Sequence, residues 1–445
     1  MTGCSTSRRR WEVDVSTASY REQFATLPAE GPAWLAPLRA RAMAQLEAHG
    51  FPTPRNEDWH FTNPAPITDA PFEPMRPGTG TVTKADLLPY AVGHAEWPTM
   101  VFVNGRYAPS LGAAGALPDG VRLMSLATAL HEEPTLLERQ LGQHASFEGQ
   151  ALAFSALNTA MMRDGAVLHV SRETSVDTPI HLLFVTDAAG EGGVSYPRNL
   201  LVVEPNARAT VIEQYISLSS QRYLTDAVTE CVLADGATLH HYKLQREART
   251  AFHVGHVEAQ QGRDSHLVSF SFATGAALAR SNIYTALAGE GCGATLNGLY
   301  MLDGTQLSDH QTRIEHIAPN CYSREMYKGI LDDESHGVFN GKVYVHPEAQ
   351  KTDGKQTNKT LLLSERARID TKPQLEIFAD DVKCTHGATV GKLDEIATFY
   401  MRSRGIGADL TRRLLTYAFA AEVVETLELE PLKLDLERLT MERYV

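Results

Sequence analysis

Short runs of β-branched and other apolar residues, separated by Gly, Asp and Asn turns, fill the middle of this chain. Between residues 161 and 390 they include Ile180–Val185 and Thr210–Tyr215, a pattern typical of β-strands. Residues 1–160 are mixed and mainly helical in spacing, and residues 391–445 are helical. The pattern therefore predicts an N-terminal mainly helical region, a β core and a C-terminal helical domain with these boundaries.

A recurrent sequence inside the β core indicates how its strands are arranged. Gly-Ala-Thr-Leu occurs at Gly236–Leu239 and again at Gly293–Leu296, and Gly-Ala-Thr-Val returns at Gly387–Val390. Ala-Thr pairs begin at Ala209, Ala237 and Ala294. The second interval between them is about twice the first. A turn-then-strand unit of about 28 residues favours a β-solenoid, in which each coil buries its apolar face against its neighbours.

The N-terminal region predicts several local elements. Apolar residues at helical spacing over Ala33–Gly50 predict a helix that stops at the glycine. Thr99–Tyr107 is typical of a short hairpin that turns at Asn104 and the glycine after it. Leu123–Gly142 has a helical pattern. Trp59 lies in a Pro-rich aromatic loop, and we expect it to anchor this loop on a core; a binding role is the alternative.

The C-terminal tail predicts helices with one apolar face. Asp394 can cap a helix that ends at Gly405, Asp409 can cap a longer second helix, and Pro431 starts a third. A helical pair appended to a β body is suited to docking a partner. The apolar positions are Ile396, Phe399 and Tyr400 on the first helix, and Leu410, Leu414, Tyr417, Ala418, Ala421 and Val424 on the second.

Composition narrows the class of protein. The 445 residues carry 41 basic and 54 acidic side chains, and the net charge of −13 argues against nucleic-acid or anionic-membrane binding. No window reaches the roughly 18 apolar residues of a membrane helix, and the basic run at Arg8–Arg10 has no apolar stretch behind it. Five cysteines at wide spacings form no disulfide framework and predict a reducing cytoplasm.

Cys384 and His386 are the main candidates for chemistry. Two residues apart on a strand, they would share one face and could reach one metal ion or sulfur species. Two ligands cannot complete a tetrahedral site, so a metal role needs further ligands from elsewhere in the chain or from a partner. The alternative is a buried cysteine that acts as a small hydrophobe beside a hydrogen-bonded histidine.

Other signals for catalysis are weak. Gly387–Leu393 resembles a phosphate loop, but it has three residues between the glycines where four are needed, and a leucine stands where Mg²⁺ binding needs Ser or Thr. Asp380 and Asp381 are consecutive, so on a strand they would face opposite sides and could not converge on one glycosidic bond. We expect them in a turn or at a solvated edge. A β-helical carbohydrate-active enzyme and a stand-alone metal-binding protein remain the alternative functions.

Three blocks of this sequence resemble the SufB/SufD family of the SUF iron–sulfur cluster assembly machinery. They are Pro54–Asn63, Leu157–Val170 and, most specifically, Lys355–Ile406. Where the SufB branch would have a cysteine in a strand, this chain has Asn358, and where it would have His-Glu-Ala, this chain has His386 followed by Gly-Ala. Both departures point to the SufD branch.

The resemblance implies a mainly β fold, with a right-handed parallel β-helix core flanked by an N-terminal α-rich region and a C-terminal helical domain. It also implies a scaffold subunit, not an enzyme, that supports iron acquisition and de novo cluster assembly in the cytoplasm. No cofactor would be bound stably by the chain alone. A transient iron–sulfur cluster would form with a partner, where His386 and Cys384 are candidate ligands.

The partners that the resemblance implies are a SufB-like subunit, paired through the β-helix, and a SufC-like ABC ATPase. The isolated chain could form a homodimer, and neither nucleic acid nor membrane is expected. The ATPase would bind the C-terminal helices around Thr398–Arg404 and Leu410–Phe419. The residues expected to contact it are Phe399, Arg402, Arg404, Leu410, Leu414 and Phe419.

Overall fold

Long parallel strands dominate the fold. The computed structural model describes residues 15–28, 31–69, 72–76 and 81–444, so Cys4 and Arg8–Arg10 lie outside the described residues. The described helices are α1 (Val15–Ala25), α2 (Leu35–His49), α3 (Ala65–Thr68), α4 (Lys84–Leu87), α5 (Leu126–Glu132), α6 (Pro134–Gln140), α7 (Ala153–Met161), α8 (Glu395–Ser403), α9 (Ala408–Val424) and α10 (Glu430–Tyr444). Single-turn 3-10 helices span Glu57–Trp59, Leu88–Tyr90, Gln150–Leu152 and Ala188–Gly190.

The described strands begin in the N-terminal region and continue to residue 391. They are β1 (Glu73–Pro74), β2 (Thr99–Val103), β3 (Arg106–Tyr107), β4 (Val121–Ser125), β5 (Ala166–Val170), β6 (Ile180–Thr186), β7 (Gly193–Ser195), β8 (Arg198–Val203), β9 (Arg208–Ser217), β10 (Leu224–Leu233), β11 (Thr238–Arg246), β12 (Phe252–Gln261), β13 (His266–Ala273), β14 (Leu278–Leu287), β15 (Gly293–Leu302), β16 (Leu307–His316), β17 (Tyr322–Leu331), β18 (His336–Val345), β19 (Asp353–Leu362), β20 (Arg368–Ile377) and β21 (Lys383–Gly391).

From β8 onward the chain winds into a parallel β-solenoid of about eight turns. Even-numbered strands stack in a first sheet that ends at β20, and odd-numbered strands stack in a second sheet that ends at β21. Each turn adds one parallel strand to each sheet. Turns differ slightly in length: the turn from His266 to its partner Gly293 is shorter than the turn from Tyr322 to its partner Asp353. Both lengths agree with the predicted repeat, which is thereby confirmed.

The Gly-Ala-Thr-Leu copies that indicated this repeat are not in register with each other. His266 pairs with Thr238 on one side and with Gly293 on the other, so the second copy lies two residues further along its strand. A shift of two residues keeps every side chain on the same face of the sheet. Ala237 and Ala294 are accordingly both fully buried. The period was therefore right although the copies are not equivalent.

Helices cover the outer faces of the two sheets. In the N-terminal region α2 packs on α7, which lies against β10 of the first sheet. At the other end of the chain, α9 lies on β15 and β17 of the second sheet and α10 packs on α9. The interior of the solenoid is filled by apolar side chains from both sheets, among them Leu201, Leu239, Leu267, Leu296 and Ile314.

The N-terminal predictions are confirmed with one exception. Helix α2 ends at Gly50, whose N–H donates to the Leu46 carbonyl. β2 and β3 form the expected hairpin, with Asn104 and the next glycine both at positive φ, as a tight two-residue turn requires. The helical expectation for Leu123–Gly142 was wrong over its first three residues, because they belong to β4, which pairs antiparallel with β5.

The tail follows its predicted helices closely. Asp394 caps α8 by accepting a hydrogen bond from the Ala397 N–H at 2.8 Å, and Gly405 follows the helix at a φ of 87°. The predicted cap of the second helix was wrong: Gly407 is the N-cap of α9, and Asp409 lies in its first turn, paired with Arg413 at 2.9 Å. A carboxylate there still favours the helix through the helix dipole.

Candidate functional site

The C-terminal end of the solenoid carries no covering strand among the residues that the structure describes. β20 pairs with β18 and β21 pairs with β19, and each is the last strand of its sheet. Terminal repeats of solenoids are normally capped. An uncovered strand edge is a ready template for pairing with another chain. We call β20 and β21 together the open end.

Cys384 and His386 lie side by side on the inward face of β21. They pair in register with Gly354 and Gln356 of β19, which are buried in the solenoid interior. The thiol of Cys384 lies 3.4 Å from the place where a side chain on Gly354 would begin, so it packs into the interior. His386 is exposed, because no further turn stacks on it within the described chain. The predicted pair thus shares one face, as its spacing required.

The environment of Cys384 keeps its thiol protonated in the isolated chain. Burial raises the pKa of Cys384, and the nearby Asp353 charge raises it further, against an opposing backbone hydrogen bond from Gly354. A metal ligand must be the thiolate. Binding to Cys384 therefore needs a strong counter-charge, such as a metal ion, to displace the proton.

Beneath His386 a column of polar side chains runs into the solenoid. Gln356 is 2% exposed, and its amide donates to the Glu325 carboxylate at 2.7 Å one turn further in. Burial raises the pKa of Glu325 to about 7, against lowering hydrogen bonds from Thr312 and Gln356. Asn358 is fully buried and donates to the Tyr327 carbonyl at 3.3 Å.

The rim of the open end is apolar. Ile377, Phe378 and Val390 are 38%, 57% and 45% exposed. Phe378 stacks obliquely on Tyr344, with ring centroids 5.3 Å apart. Large exposed apolar side chains beside unpaired strand edges are typical of an interaction surface. Sequence reasoning identified the strand but not these rim residues, because only the end of the solenoid exposes them.

A second apolar surface begins shortly after β21, on α8. Ile396, Phe399 and Tyr400 are 81%, 74% and 58% exposed. Their i, i+3, i+4 spacing places them on one face. Helix α8 packs mainly on α9, so this face is turned away from the solenoid. We call it the α8 face. Ile396 and Tyr400 were noted as apolar positions but not chosen as partner contacts, since sequence periodicity does not show which face is covered.

The other predicted contact residues are distributed differently. Arg402 and Arg404 are exposed at the end of α8, and the Arg404 guanidinium lies over the Tyr400 ring at 5.1 Å. Leu410 is exposed and Leu414 is half-buried on α9. Phe419 instead faces the solenoid, where the Lys328 ammonium lies 4.2 Å from its ring centroid. The structure thus exposes four of the six, leaves Leu414 half-buried and places Phe419 at the attachment of α9.

Two alternative interpretations lose their support. Gly387–Gly391 belongs to strand β21, so this segment is not a loop that opens a helix, as a phosphate loop must be. Asp380 and Asp381 are exposed in the turn between β20 and β21, as expected. Trp59 is 1% exposed and its indole donates to the Ala151 carbonyl at 3.0 Å, which confirms its anchoring role.

Within the described residues no three His, Cys, Asp or Glu side chains come together in an arrangement that could hold a metal ion. Cys384 and His386 are therefore two ligands without a third from this set. None of the described helices has the length and apolar character needed to cross a membrane.

The fold and the site define a class of protein: a parallel β-solenoid with an unpaired end that carries a thiol and an imidazole, followed by a helical tail. Residues 184–419 match the family described as SUF system FeS cluster assembly, SufBD core domain, and residues 16–182 match the SufBD protein N-terminal region. The chain belongs to the SufBD family of iron–sulfur cluster assembly proteins.

Similar proteins agree along most of the chain. The SufD protein of Escherichia coli is 34% identical over 89% of this chain and 90% of its own length. A SufBD family protein of Synechocystis is 33% identical over 95% of this chain and 94% of its own. The SufD protein of Bacillus subtilis is 27% identical over 91% and 93%. The chain is SufD-like by these relationships.

Proposed function

We propose that this chain is a non-catalytic scaffold subunit, which pairs with a SufB-like subunit through its open end and binds a SufC-like ABC ATPase through its helical tail. One observation carries the proposal: the strand that bears Cys384 and His386 leads through a short connection into the exposed α8 face. A ligand-bearing surface and a docking surface are thus joined directly along the chain.

The open end supports pairing with a second β-solenoid. The backbone groups along the outer edges of β20 and β21 are available to another strand. The apolar rim of Ile377, Phe378 and Val390 would be buried by the same contact. Because a homologous subunit ends in the same kind of strand, a second copy of this chain could occupy the surface when the partner is absent, which gives a homodimer in isolation.

The iron–sulfur cluster is the cargo of this interface. Cys384 and His386 offer one soft and one borderline ligand, and a partner that stacks on the open end would face both. Since the described residues offer no third ligand nearby, the remaining ligands would come from the SufB-like subunit. The cluster would be bound transiently, because assembly requires that the finished cluster be released. The chain alone would keep no cofactor.

The α8 face supports docking of the ATPase. Aromatic side chains are enriched at the centres of protein interfaces, and Phe399 and Tyr400 lie together here with Arg402 and Arg404 beside them. A movement of the docked ATPase on ATP binding would act on α8 and, through Lys392–Asp394, on β21. ATP would then favour one arrangement of the interface by its difference in affinity for the two.

We place this activity in the cytoplasm. The described cysteines Cys231, Cys292, Cys321 and Cys384 are free thiols, as a reducing compartment requires. The net charge of −13 disfavours nucleic acid and anionic lipid as partners.

The test is co-purification of the full chain from its host, with mass spectrometry of bound proteins and assay of iron and sulfide. We expect a SufB-like subunit and an ABC ATPase to be recovered, and iron to be lost in His386→Ala while both proteins are retained. Recovery of the chain without either protein, or with stoichiometric iron in the partner-free chain, would overturn the scaffold proposal.

A further inference from the structure

Two cysteines lie next to each other at a corner of the solenoid, far along the chain from the open end. Cys292 directly precedes β15 and Cys321 directly precedes β17, so they hold the same position in successive turns. The Tyr322 N–H donates to the Cys292 carbonyl at 3.0 Å, which extends the parallel ladder to this corner. Neighbouring parallel strands are about 4.8 Å apart, within the Cα separation of about 4.4–6.8 Å that a disulfide spans.

The two thiols converge on one acceptor. The Cys292 sulfur lies 3.0 Å from the Gly289 carbonyl oxygen, and the Cys321 sulfur lies 3.3 Å from the same oxygen. A hydrogen bond from Cys321 lowers the pKa of Cys292 to about 7, whereas its counterpart raises the pKa of Cys321. Cys292 is thus the better nucleophile. Cys321 is a protonated neighbour, which can react with an oxidised Cys292 to form a disulfide.

The corner is thinly covered. Both side chains are at most 1% exposed, yet the atoms that hold them are backbone carbonyls of surface turns. Gly262, Gly289 and Pro319 supply these carbonyls, and the same residues line a cleft on the solvent side of the corner. Only a small oxidant can pass such a layer.

We propose that Cys292 and Cys321 form a reversible disulfide that ties two neighbouring turns of the solenoid when the protein meets hydrogen peroxide. The Cys292 thiolate attacks one peroxide oxygen and breaks the O–O bond, which gives a sulfenic acid and, after protonation, water. The Cys321 sulfur then attacks the sulfenic sulfur and expels a second water. Two thiols lose two electrons and two protons, and one peroxide becomes two waters.

The disulfide would join the starts of the two strands that carry α9. Helix α9 lies on β15 and β17, where Asn297 donates to Thr426 at 3.0 Å and the Lys328 ammonium donates to the Phe419 carbonyl at 2.7 Å. The modification therefore stiffens the support of the helical tail without using any residue of the open end. It is independent of the proposed scaffold function.

The experiment treats the reduced full chain with hydrogen peroxide, blocks remaining thiols under denaturing conditions, and maps linked peptides by mass spectrometry. We expect a Cys292–Cys321 peptide, reversed by dithiothreitol, and a thiol titre reduced by two. Cys292→Ser and Cys321→Ser should each abolish the linked peptide. Both should fold, because the same corner position holds Ser265 and Thr352 in the adjacent turns.

Matched variants separate this pair from the other thiols. Cys231→Ser, at a lone buried cysteine, and Cys384→Ser, at the open end, should leave the linked peptide unchanged. We also expect the oxidised wild type to unfold at a higher temperature than the reduced form, with no such shift in Cys321→Ser. Peroxide that oxidises Cys384 while both corner thiols stay free, or a titre loss that persists in Cys292→Ser, would overturn the proposal.

Discussion

At the scale of single residues, position in the solenoid decides what a thiol or an imidazole can do. His241 is fully buried and bonds the Glu213 carboxylate at 2.9 Å, and Cys231 is fully buried among apolar side chains. Such buried groups cannot contact a partner. Cys384 and His386 occupy inward positions too, but the solenoid ends above them. On β21 the same kinds of side chain, at inward-facing positions, are therefore available to a partner.

His386→Ala tests this at the level of one imidazole. We expect iron retained by the assembled complex to fall by about tenfold or more, because a ligand is lost while the strand stays paired with β19. Thr385→Ala is the matched control, since its side chain faces the opposite side of the same strand. Equal iron content in His386→Ala and Thr385→Ala, measured on complexes of the same subunit ratio, would contradict the assignment.

At the scale of elements, the sequence predicted those turns and helix ends whose conformation is determined by one or two neighbouring residues. The hairpin at Asn104 and the capped start of α8 at Asp394 were readable because one or two residues fix each conformation. The β4 strand was not readable, because its strand state comes from pairing with β5, which lies beyond three intervening α-helices. The Cys292–Cys321 neighbourhood was equally hidden, since only the observed register of the turns creates it.

The α8 face gives the prediction that belongs to this scale. Phe399→Asp should weaken binding of the ATPase by about 2 kcal/mol or more, roughly thirtyfold, because an aromatic contact becomes a buried charge. Leu434→Asp is the control: Leu434 is 55% exposed on α10, outside the α8 face. Binding constants for the ATPase, measured by calorimetry for both variants, test this prediction. Wild-type affinity in Phe399→Asp, or an equal loss in Leu434→Asp, would mean that the docking surface lies elsewhere.

At the scale of the whole molecule, a buried ion pair lies between the first sheet and the N-terminal region that packs on it. The fully buried Arg198 side chain bonds Glu230, which also accepts backbone N–H groups from Gly142, His144 and Ala145 and so ties the N-terminal region to the first sheet. Hydrophobic patterning predicted the solenoid, but it cannot predict such pairs, because each joins turns whose register is a property of the assembled fold.

Buried histidines make the stability of the whole fold depend on pH. Burial lowers the pKa of His181 to about 4, of His310 to about 3 and of His316 to about 4. The unfolded chain, with a histidine pKa of about 6.5, takes up these protons first as the pH falls. Each histidine therefore contributes stability that is present above pH 6.5 and declines by about 1.4 kcal/mol per pH unit below it.

Glu325 acts in the opposite direction, since its raised pKa of about 7 gives stability that grows as the pH falls toward its unfolded value. A variant isolates one contribution: His310→Asn should reduce the pH slope of the unfolding free energy between pH 6.5 and 5 by about 1.4 kcal/mol per unit. The exposed His60→Asn should leave the slope unchanged. Urea unfolding across this range measures both, and an unchanged slope in His310→Asn would refute the account.

The open end gives the last prediction, since pairing there determines the assembly. Val390→Lys places an ammonium on the inward face of β21, where a stacked partner would have to bury it, and lysine is the residue that natural edge strands use against pairing. We expect the affinity for the SufB-like subunit, and any self-association of the isolated chain, to fall roughly thirtyfold or more, about 2 kcal/mol.

Leu88→Lys is the matched control, because Leu88 is 71% exposed in the N-terminal region, far from the open end in the strand order. Both variants should keep the thermal unfolding midpoint of the wild type, since Val390 is already 45% exposed and supports no turn beyond it within the described chain. Sedimentation equilibrium of the chain alone and with its partner reports the masses. A Val390→Lys chain that pairs as tightly as Leu88→Lys would show that the uncovered strands are a solvated terminus, and that the partner binds another face.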